Sequence, residues 1–248
     1  MLRALLVQAL DLVGLRRPAR LARERVQAQL HALGLTDWTP LVPEQDFESY
    51  LRHALRALRD AEGADPQGAY LEFGVSRGTS TACAVRALGA EGMGAMPIIG
   101  FDSFEGMPPE AAEQGWQPGQ YRSSLLATRR YLAAQGVPRR RVRLAKGWFR
   151  DTLTEATRGR LGLRQVSVAM VDCDIHSASC EALDFVAPLI GAHAVLVFDD
   201  WGWRADRGEL GQKDAFEAFM AANPSLRATP LPAYIPQACV FLLRRTDG

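Results

Sequence analysis

Two apolar runs that end in acids constrain this chain more than any other feature: VSVAMVDCD at 166–174 and HAVLVFDD at 193–200. Runs of that length without polar alternation read as strands buried on both faces of a parallel sheet. A parallel sheet requires a crossover between neighbouring strands, and the intervening 177–190 has the length and composition of a helix. Asp172, Asp174, Asp199 and Asp200 then emerge at the carboxyl edge, where open α/β sheets bind ligands. Upstream, Glu72-Phe73-Gly74-Val75-Ser76-Arg77-Gly78 forms a glycine-rich turn that the same sheet would set beside them.

The rest of the chain alternates in the same way. From Phe47 onward the pattern predicts a helix at 46–60, strand 69–73, helix 79–88, strand 97–101, helix 123–135, strand 141–145, a short helix at 151–158, and a helix at 212–222. The tail, ATPLPAYIPQACVFLLRR, reads as a turn and an antiparallel edge strand. The expected fold is a doubly wound, mostly parallel α/β sheet over 46–248, preceded by a helical extension or cap over 1–45. Residues 103–122 interrupt the rhythm with Pro108, Pro109, Gly115, Pro118 and Gly119. A loop that long is generally functional, and a lid over the cleft is expected there.

A net charge of +1 over 248 residues gives no electrostatic reason to expect nucleic acid. The run Arg139-Arg140-Arg141 is too short to make a basic face and reads as a solvated loop. Cys83, Cys173, Cys180 and Cys239 have neither zinc-site spacing nor the density of a disulfide scaffold, which favours a reducing cytoplasm. The N-terminal MLRALLVQALDLVGLRRPAR carries Gln8 and Asp11 within its apolar stretch and is too short to span a bilayer. With LARERVQAQLHALG at 21–34 it predicts amphipathic helices suited to capping, homo-oligomer contact or a membrane surface; oligomerisation is the expectation, without integral membrane contact.

The glycine turn lacks the middle glycine of a dinucleotide fingerprint, which disfavours NAD. What remains is an acid ending a strand, a tight turn, and a helix N-terminus able to face a ligand carboxylate or ribose. Glu72 could accept from an ammonium group. Asp102, ending the next strand, could accept from both hydroxyls of a ribose. A ligand carrying both an amino acid and a ribose fits S-adenosylmethionine.

Taken together, YLEFGVSRGTS, GFDSFEGMPPE, KGWFRDTL, VDCDIHSAS and VFDDWGW resemble the macrocin O-methyltransferase family over about 70–219. The resemblance implies a Rossmann-like sheet, S-adenosylmethionine, Mg2+ and a small hydroxylated acceptor, as in sugar and natural-product pathways. By that resemblance Glu72, Phe73, Gly74, Ser76, Gly78, Thr79 and Ser80 hold the methionine part, and Asp102 and Ser103 the ribose. Gly147, Trp148 and Phe149 border the adenine. Asp172 serves cofactor and metal, with Asp174, Asp199 and Asp200 completing the candidate metal set.

Magnesium takes oxygen ligands and keeps positions for water or substrate, and it lowers the pKa of a chelated hydroxyl. Of the first pair, Asp172 at the strand end is favoured over Asp174, though spacing leaves both open. Asp172 and His176 are the catalytic candidates, His176 as a base just beyond the metal segment. The family usually has Tyr at that place, so a packing role stays open for His176. Trp201 and Trp203 could wall the acceptor or simply cover the core, and Tyr121 and Arg122 are weaker acceptor contacts. The same acids could serve a metal-dependent hydrolase, which leaves the glycine turn without purpose, or a cofactor-binding protein that has lost turnover.

Overall fold

The computed structural model describes residues 26, 29–36, 39–40, 43–202 and 208–246. The expected helices of the 1–45 extension, with the oligomer contact assigned to them, lie largely outside the described residues, as does Trp203.

Helix α1 (Glu44–Glu62) follows Pro43, carries Glu44 and Asp46 in its first turn, and stops at Gly63, whose left-handed backbone lets its amide bond the Arg59 carbonyl. Phe47, Leu51, Ala54, Leu55 and Leu58 recur at helical spacing and are buried. Burying each large side chain of this stripe is worth about 1.5–3 kcal/mol. Its polar edge grips the end of α2 (Thr79–Ala90): Arg52 Nε and Arg56 Nε and Nη2 donate to the buried Glu91, whose carboxyl drops to about 2 through those bonds.

Between and beyond these helices run β1 (Ala69–Phe73), β2 (Ile98–Asp102), β3 (Val142–Lys146), β4 (Val166–Val171), β5 (Ile190–Phe198), β6 (Leu226–Leu231) and β7 (Cys239–Arg245). They form one seven-stranded sheet in the order β3-β2-β1-β4-β5-β7-β6. The first five are parallel, and β7 is antiparallel to both β5 and β6. Alternate strand residues bury on opposite faces. Tyr70, Ile98, Val168, Met170 and Val197 join the core under α1 and α2. Leu71, Phe73, Phe101, Val171 and Phe198 join the core under α6 (His176–Val186) and α7 (Gln212–Ala222).

The tail departs from the single edge strand expected of it. The segment around Thr229 and Pro230, taken as a turn, is β6, and β7 lies inside it. A proline cannot donate to a ladder, so it is tolerated where one side of the strand faces no partner, and β6 is the edge. The stretch expected as one helix at 151–158 is two, α4 (Phe149–Thr152) and α5 (Glu155–Leu161), because the Thr154 side chain caps a fresh start by accepting from the Thr157 amide.

The interruption at 103–122 is packed. Met107 and the Gly119–Gln120 pair exchange backbone hydrogen bonds, a short 3-10 helix spans Pro109–Gln114, and Met107, Ala111 and Trp116 bury against Ile175. The α-helix that follows the interruption, α3 (Leu125–Ala134), starts at Ser124, whose hydroxyl accepts from the Ala127 amide.

Candidate active site

The glycine turn begins where β1 meets the extension of β4. Gly74 has φ +97°, and a Cβ there would lie 1.6 Å from the Asp172 carbonyl oxygen, so no other residue fits. Gly78, φ +94°, starts α2, and its missing side chain leaves room for Leu132 and Thr128 of α3 at 3.2 Å. The turn between them is held by Asp102. The Val75 and Ser76 amides donate to its Oδ2 at 2.8 Å each, and the Phe104 amide donates to Oδ1 at 2.5 Å. Burial raises the Asp102 carboxyl while these three amides oppose the rise. Asp102 thus staples the turn and the start of the insertion to the end of β2.

Glu72 is fully buried one residue below. Ser80 and Thr81 donate hydroxyl bonds to it at 2.5 and 2.8 Å. Desolvation outweighs those bonds and pushes its carboxyl from 4.5 to about 7.

On the other side of Gly74, Asp172, Asp199 and Asp200 bring ligand oxygens within 4.8 Å of one another. The Asp199 amide donates to Val171 O, which holds the two strand ends level. The Tyr234 hydroxyl donates to Asp199 Oδ1. Gln212, completely buried at the start of α7, accepts from the Asp200 amide at 3.0 Å and donates to Val171 O at 3.1 Å. Asp174 has a left-handed backbone, φ +62°, and its amide acts to lower the Asp200 carboxyl. Burial, then repulsion by neighbouring carboxylates, raises Asp174 to about 7, Asp200 to about 8 and Asp172 well above the ordinary carboxylate range, while burial raises Asp199 against the lowering effect of the Tyr234 hydrogen bond. Asp200 Oδ2 is buried and has no hydrogen-bond partner among the described residues. An orphaned carboxylate oxygen beside two further carboxylates, all acceptors, is the donor set a hard divalent cation takes.

A single cavity of about 400 Å³ joins the turn to the acids. Of the residues expected there, Gly74, Ser76, Thr79, Ser80, Asp102, Ser103, Trp148, Phe149, Asp172, Asp174, Asp199 and Asp200 line it. Asp174 stands outside the trio whose oxygens converge.

Five others do not line it. Glu72 is sealed behind Ser80 and reaches the cavity only through that hydroxyl. Phe73 alternates to the opposite face and stacks on Phe101 with centroids 5.4 Å apart. Gly78 and Gly147 contribute backbone alone: Gly147, φ +147°, donates its amide to Asp102 O and would drive a Cβ to 2.6 Å from Thr152. His176, expected as a base, opens α6 with its ring Nε2 at 3.6 Å from Cys180 Sγ, one helical turn along the same helix. The sharp backbone at Asp174 tucks Ile175 into the core and takes His176 out of the cavity wall. Trp201 likewise packs with Phe198, Phe216 and Phe241 and does not line the cavity. Arg122 pairs with Glu105 at 2.9 Å.

Three functional contacts escaped the sequence reading: Phe47 and Tyr234 in the cavity wall, and Gln212 behind Asp200. Pro43 before α1 and the N3 acid Asp214 of α7 marked the helices but not which side chains turn inward. Tyr121 does line the cavity, half-exposed above the acids with φ +60°, its ring edge-on to Trp116 at 5.7 Å.

Solved structures share this fold. The O-methyltransferase NovP superposes with a TM-score of 0.64 at 19% identity, covering 89% of this chain and 88% of that one. The calicheamicin methyltransferase CalS11 gives 0.59 at 19%, covering 79% of each chain. TomG from Streptomyces achromogenes, solved in complex with SAM, gives 0.51 at 19%, again covering 79% of each chain. Among curated proteins, a Streptomyces olivaceus enzyme is 31% identical over 149 residues. It is the 8-demethyl-8-(2,3-dimethoxy-alpha-L-rhamnosyl)-tetracenomycin-C 4'-O-methyltransferase, and the match covers 56% of this chain. The matched segment spans about half of that relative, 55% of its length. The sequence profile of the macrocin O-methyltransferase (TylF) family matches residues 7–222, and with the glycine turn, Asp102 and the acid-ended strands in that profile's span, the chain belongs to this family.

Proposed function

We propose that the protein is an S-adenosylmethionine-dependent O-methyltransferase that uses Mg2+ and acts on a hydroxyl of a sugar or related natural product. The observation that carries this reading is the single cavity in which the Asp102-stapled glycine turn faces three converging carboxylates. Family membership and the rhamnosyl acceptor named for the curated relative support the acceptor class.

In this reading the N-terminal amides of α2 and the Ser80 hydroxyl receive the amino-acid end of the cofactor, Ser80 being oriented by the carboxylate of Glu72. Asp102 acts chiefly by shaping the turn, since both its oxygens are already engaged by amides, with lone-pair capacity left for a ribose hydroxyl. Trp148 and Phe149 offer apolar surface to the adenine. Asp172, Asp199 and Asp200 would hold the divalent ion, whose orphaned acceptor at Asp200 Oδ2 and concentrated negative charge fit it. Bound there, the ion would acidify an acceptor hydroxyl, and the cofactor would supply an electrophilic methyl group.

The carboxylate of Asp174 takes the acceptor proton. It lines the cavity, lies outside the converging trio, and titrates at about 7, where a group can both accept and release a proton at neutral pH. Tyr121 and Trp116 shield the mouth of the cavity from water.

Calorimetric titration of the metal-stripped protein with S-adenosylhomocysteine, then with Mg2+, tests both halves of the site before an acceptor is known. Binding of both supports the reading. Absence of cofactor binding would overturn it in favour of other metal chemistry at the same acids, and cofactor binding without Mg2+ would restrict it to metal-free transfer.

A further inference from the structure

We infer that Tyr234 is a positioning residue for the metal site: its hydroxyl fixes Asp199 so that one carboxylate oxygen stays turned toward Asp172 and Asp200. The inference rests on the proposed divalent-ion reading and deepens it.

Four carboxylates share this corner, and among the described residues no lysine or arginine contributes to the influences acting on them. Without a restraint, the cheapest response to their repulsion is for a side chain to rotate outward. Asp172 leaves β4 and Asp200 is tied through its backbone to Gln212, whereas the carboxylate of Asp199 has the Tyr234 hydroxyl as its side-chain donor. A phenol suits the task because it is neutral. It engages Oδ1 and leaves the charge of Asp199 in place, where a guanidinium or ammonium would cancel the field that attracts a cation.

Tyr234 is itself immobilised. It lies in the loop between β6 and β7, is 9% exposed, and sets its ring edge-on against Phe47 of α1 with centroids 4.8 Å apart. The Gly202 amide donates to Gln237 O at 3.1 Å, which ties this loop to the segment just after Asp200. Helix α1, the terminal hairpin and the acidic strand end therefore meet at one hydroxyl, and both Phe47 and Tyr234 face the cavity. Groups that orient metal ligands in this way generally contribute 10–100-fold to metal affinity.

The test is calorimetric titration of the full-length, metal-stripped protein and its Tyr234→Phe variant with Mg2+, and with Mn2+ followed by its paramagnetic resonance signal. Phenylalanine keeps the ring on Phe47 and removes only the donor. Expected is an affinity for both ions roughly 10–100-fold weaker, with S-adenosylhomocysteine affinity unchanged and a modest fall in the unfolding midpoint from the lost hydrogen bond. Tyr234→Ala, which also removes the ring, should lower the unfolding midpoint further. Unchanged metal affinity in Tyr234→Phe overturns the inference, and so does a loss shared equally with cofactor affinity and stability, which marks a packing role. If the unsubstituted protein binds neither ion, the metal reading itself falls and the inference falls with it.

Discussion

Replacing Glu72 with Gln should change how stability depends on pH, because the fold buries this carboxyl completely and gives it two hydroxyl donors but no cation. Its pKa rises from 4.5 to about 7, with desolvation first among the causes, Ser80 and Thr81 pulling it back, and the charge of Asp102 adding to the rise. A carboxyl whose folded pKa exceeds its unfolded value favours the protonated fold. Folding therefore carries no penalty below about pH 4.5, and the penalty grows as pH climbs through 7. One pKa unit corresponds to about 1.4 kcal/mol, so the full shift amounts to roughly 3 kcal/mol between pH 4.5 and 8. Gln preserves the shape and one acceptor oxygen but cannot ionise. Its cost at low pH, one hydroxyl facing an amide nitrogen, is constant with pH. The assay is urea unfolding of both proteins in EDTA at pH 5, 6, 7 and 8. The charge of Glu72 is only the last-ranked of the causes raising Asp172, so most of the tilt from the acids near Asp172 is common to both proteins and the difference reports chiefly Glu72. That difference should move by about 3 kcal/mol in favour of Gln as pH rises. Parallel curves would refute the argument, showing that the two hydroxyls, or water reaching past Ser80, already solvate the charge.

The remaining predictions concern the turn and the metal corner. Gly74→Ala places a methyl 1.6 Å from the Asp172 carbonyl oxygen and should cost about 3 kcal/mol or more, seen as a lowered unfolding midpoint together with lost S-adenosylhomocysteine binding. Asp102→Asn leaves at least one of the Val75, Ser76 and Phe104 amides facing a donor, and cofactor-product affinity should fall about 10- to 100-fold by calorimetry, with Mg2+ affinity retained. Mg2+ affinity should weaken on the order of tenfold per pH unit between pH 8 and 6, as protons compete for Asp200, which titrates at about 8; a flat profile would remove Asp200 from the ion. Gln212→Ala strands the Asp200 amide and one acceptor of Val171 in a dry site and should cost about 1–3 kcal/mol in denaturant unfolding.

How much of this was legible in the sequence follows from the range of the interactions involved. The strands β1, β2, β4 and β5 were readable because each is a mainly apolar run without polar alternation, which points to burial on both faces, and their acids are placed by the parallel topology those runs demand. Gly74 and Gly78 were readable as turn residues for a local reason, a backbone that only glycine adopts without strain. What failed did so one level up. His176 lies two residues beyond a metal candidate, and sequence proximity suggested a base, but a left-handed Asp174 and a buried Ile175 turn its ring along α6 toward Cys180. Phe73 sits inside the cofactor motif, and strand alternation alone sends it to the other core. Tyr234 was invisible because its meaning depends on the β6–β7 hairpin, which Pro230 and Pro232 disguised as a turn; only when β7 slots between β5 and β6 does the connecting loop return to the carboxyl edge. The ends of the first five strands thus specify which acids gather, whereas the loop that orients one of them arrives from the last 23 residues through a pairing no local signal encodes. A substitution in that loop that leaves every motif intact should then alter metal binding while sparing the cofactor half, because the hydrogen bond of Tyr234 goes to Asp199 and its ring packs on Phe47, whereas the turn is held by Asp102.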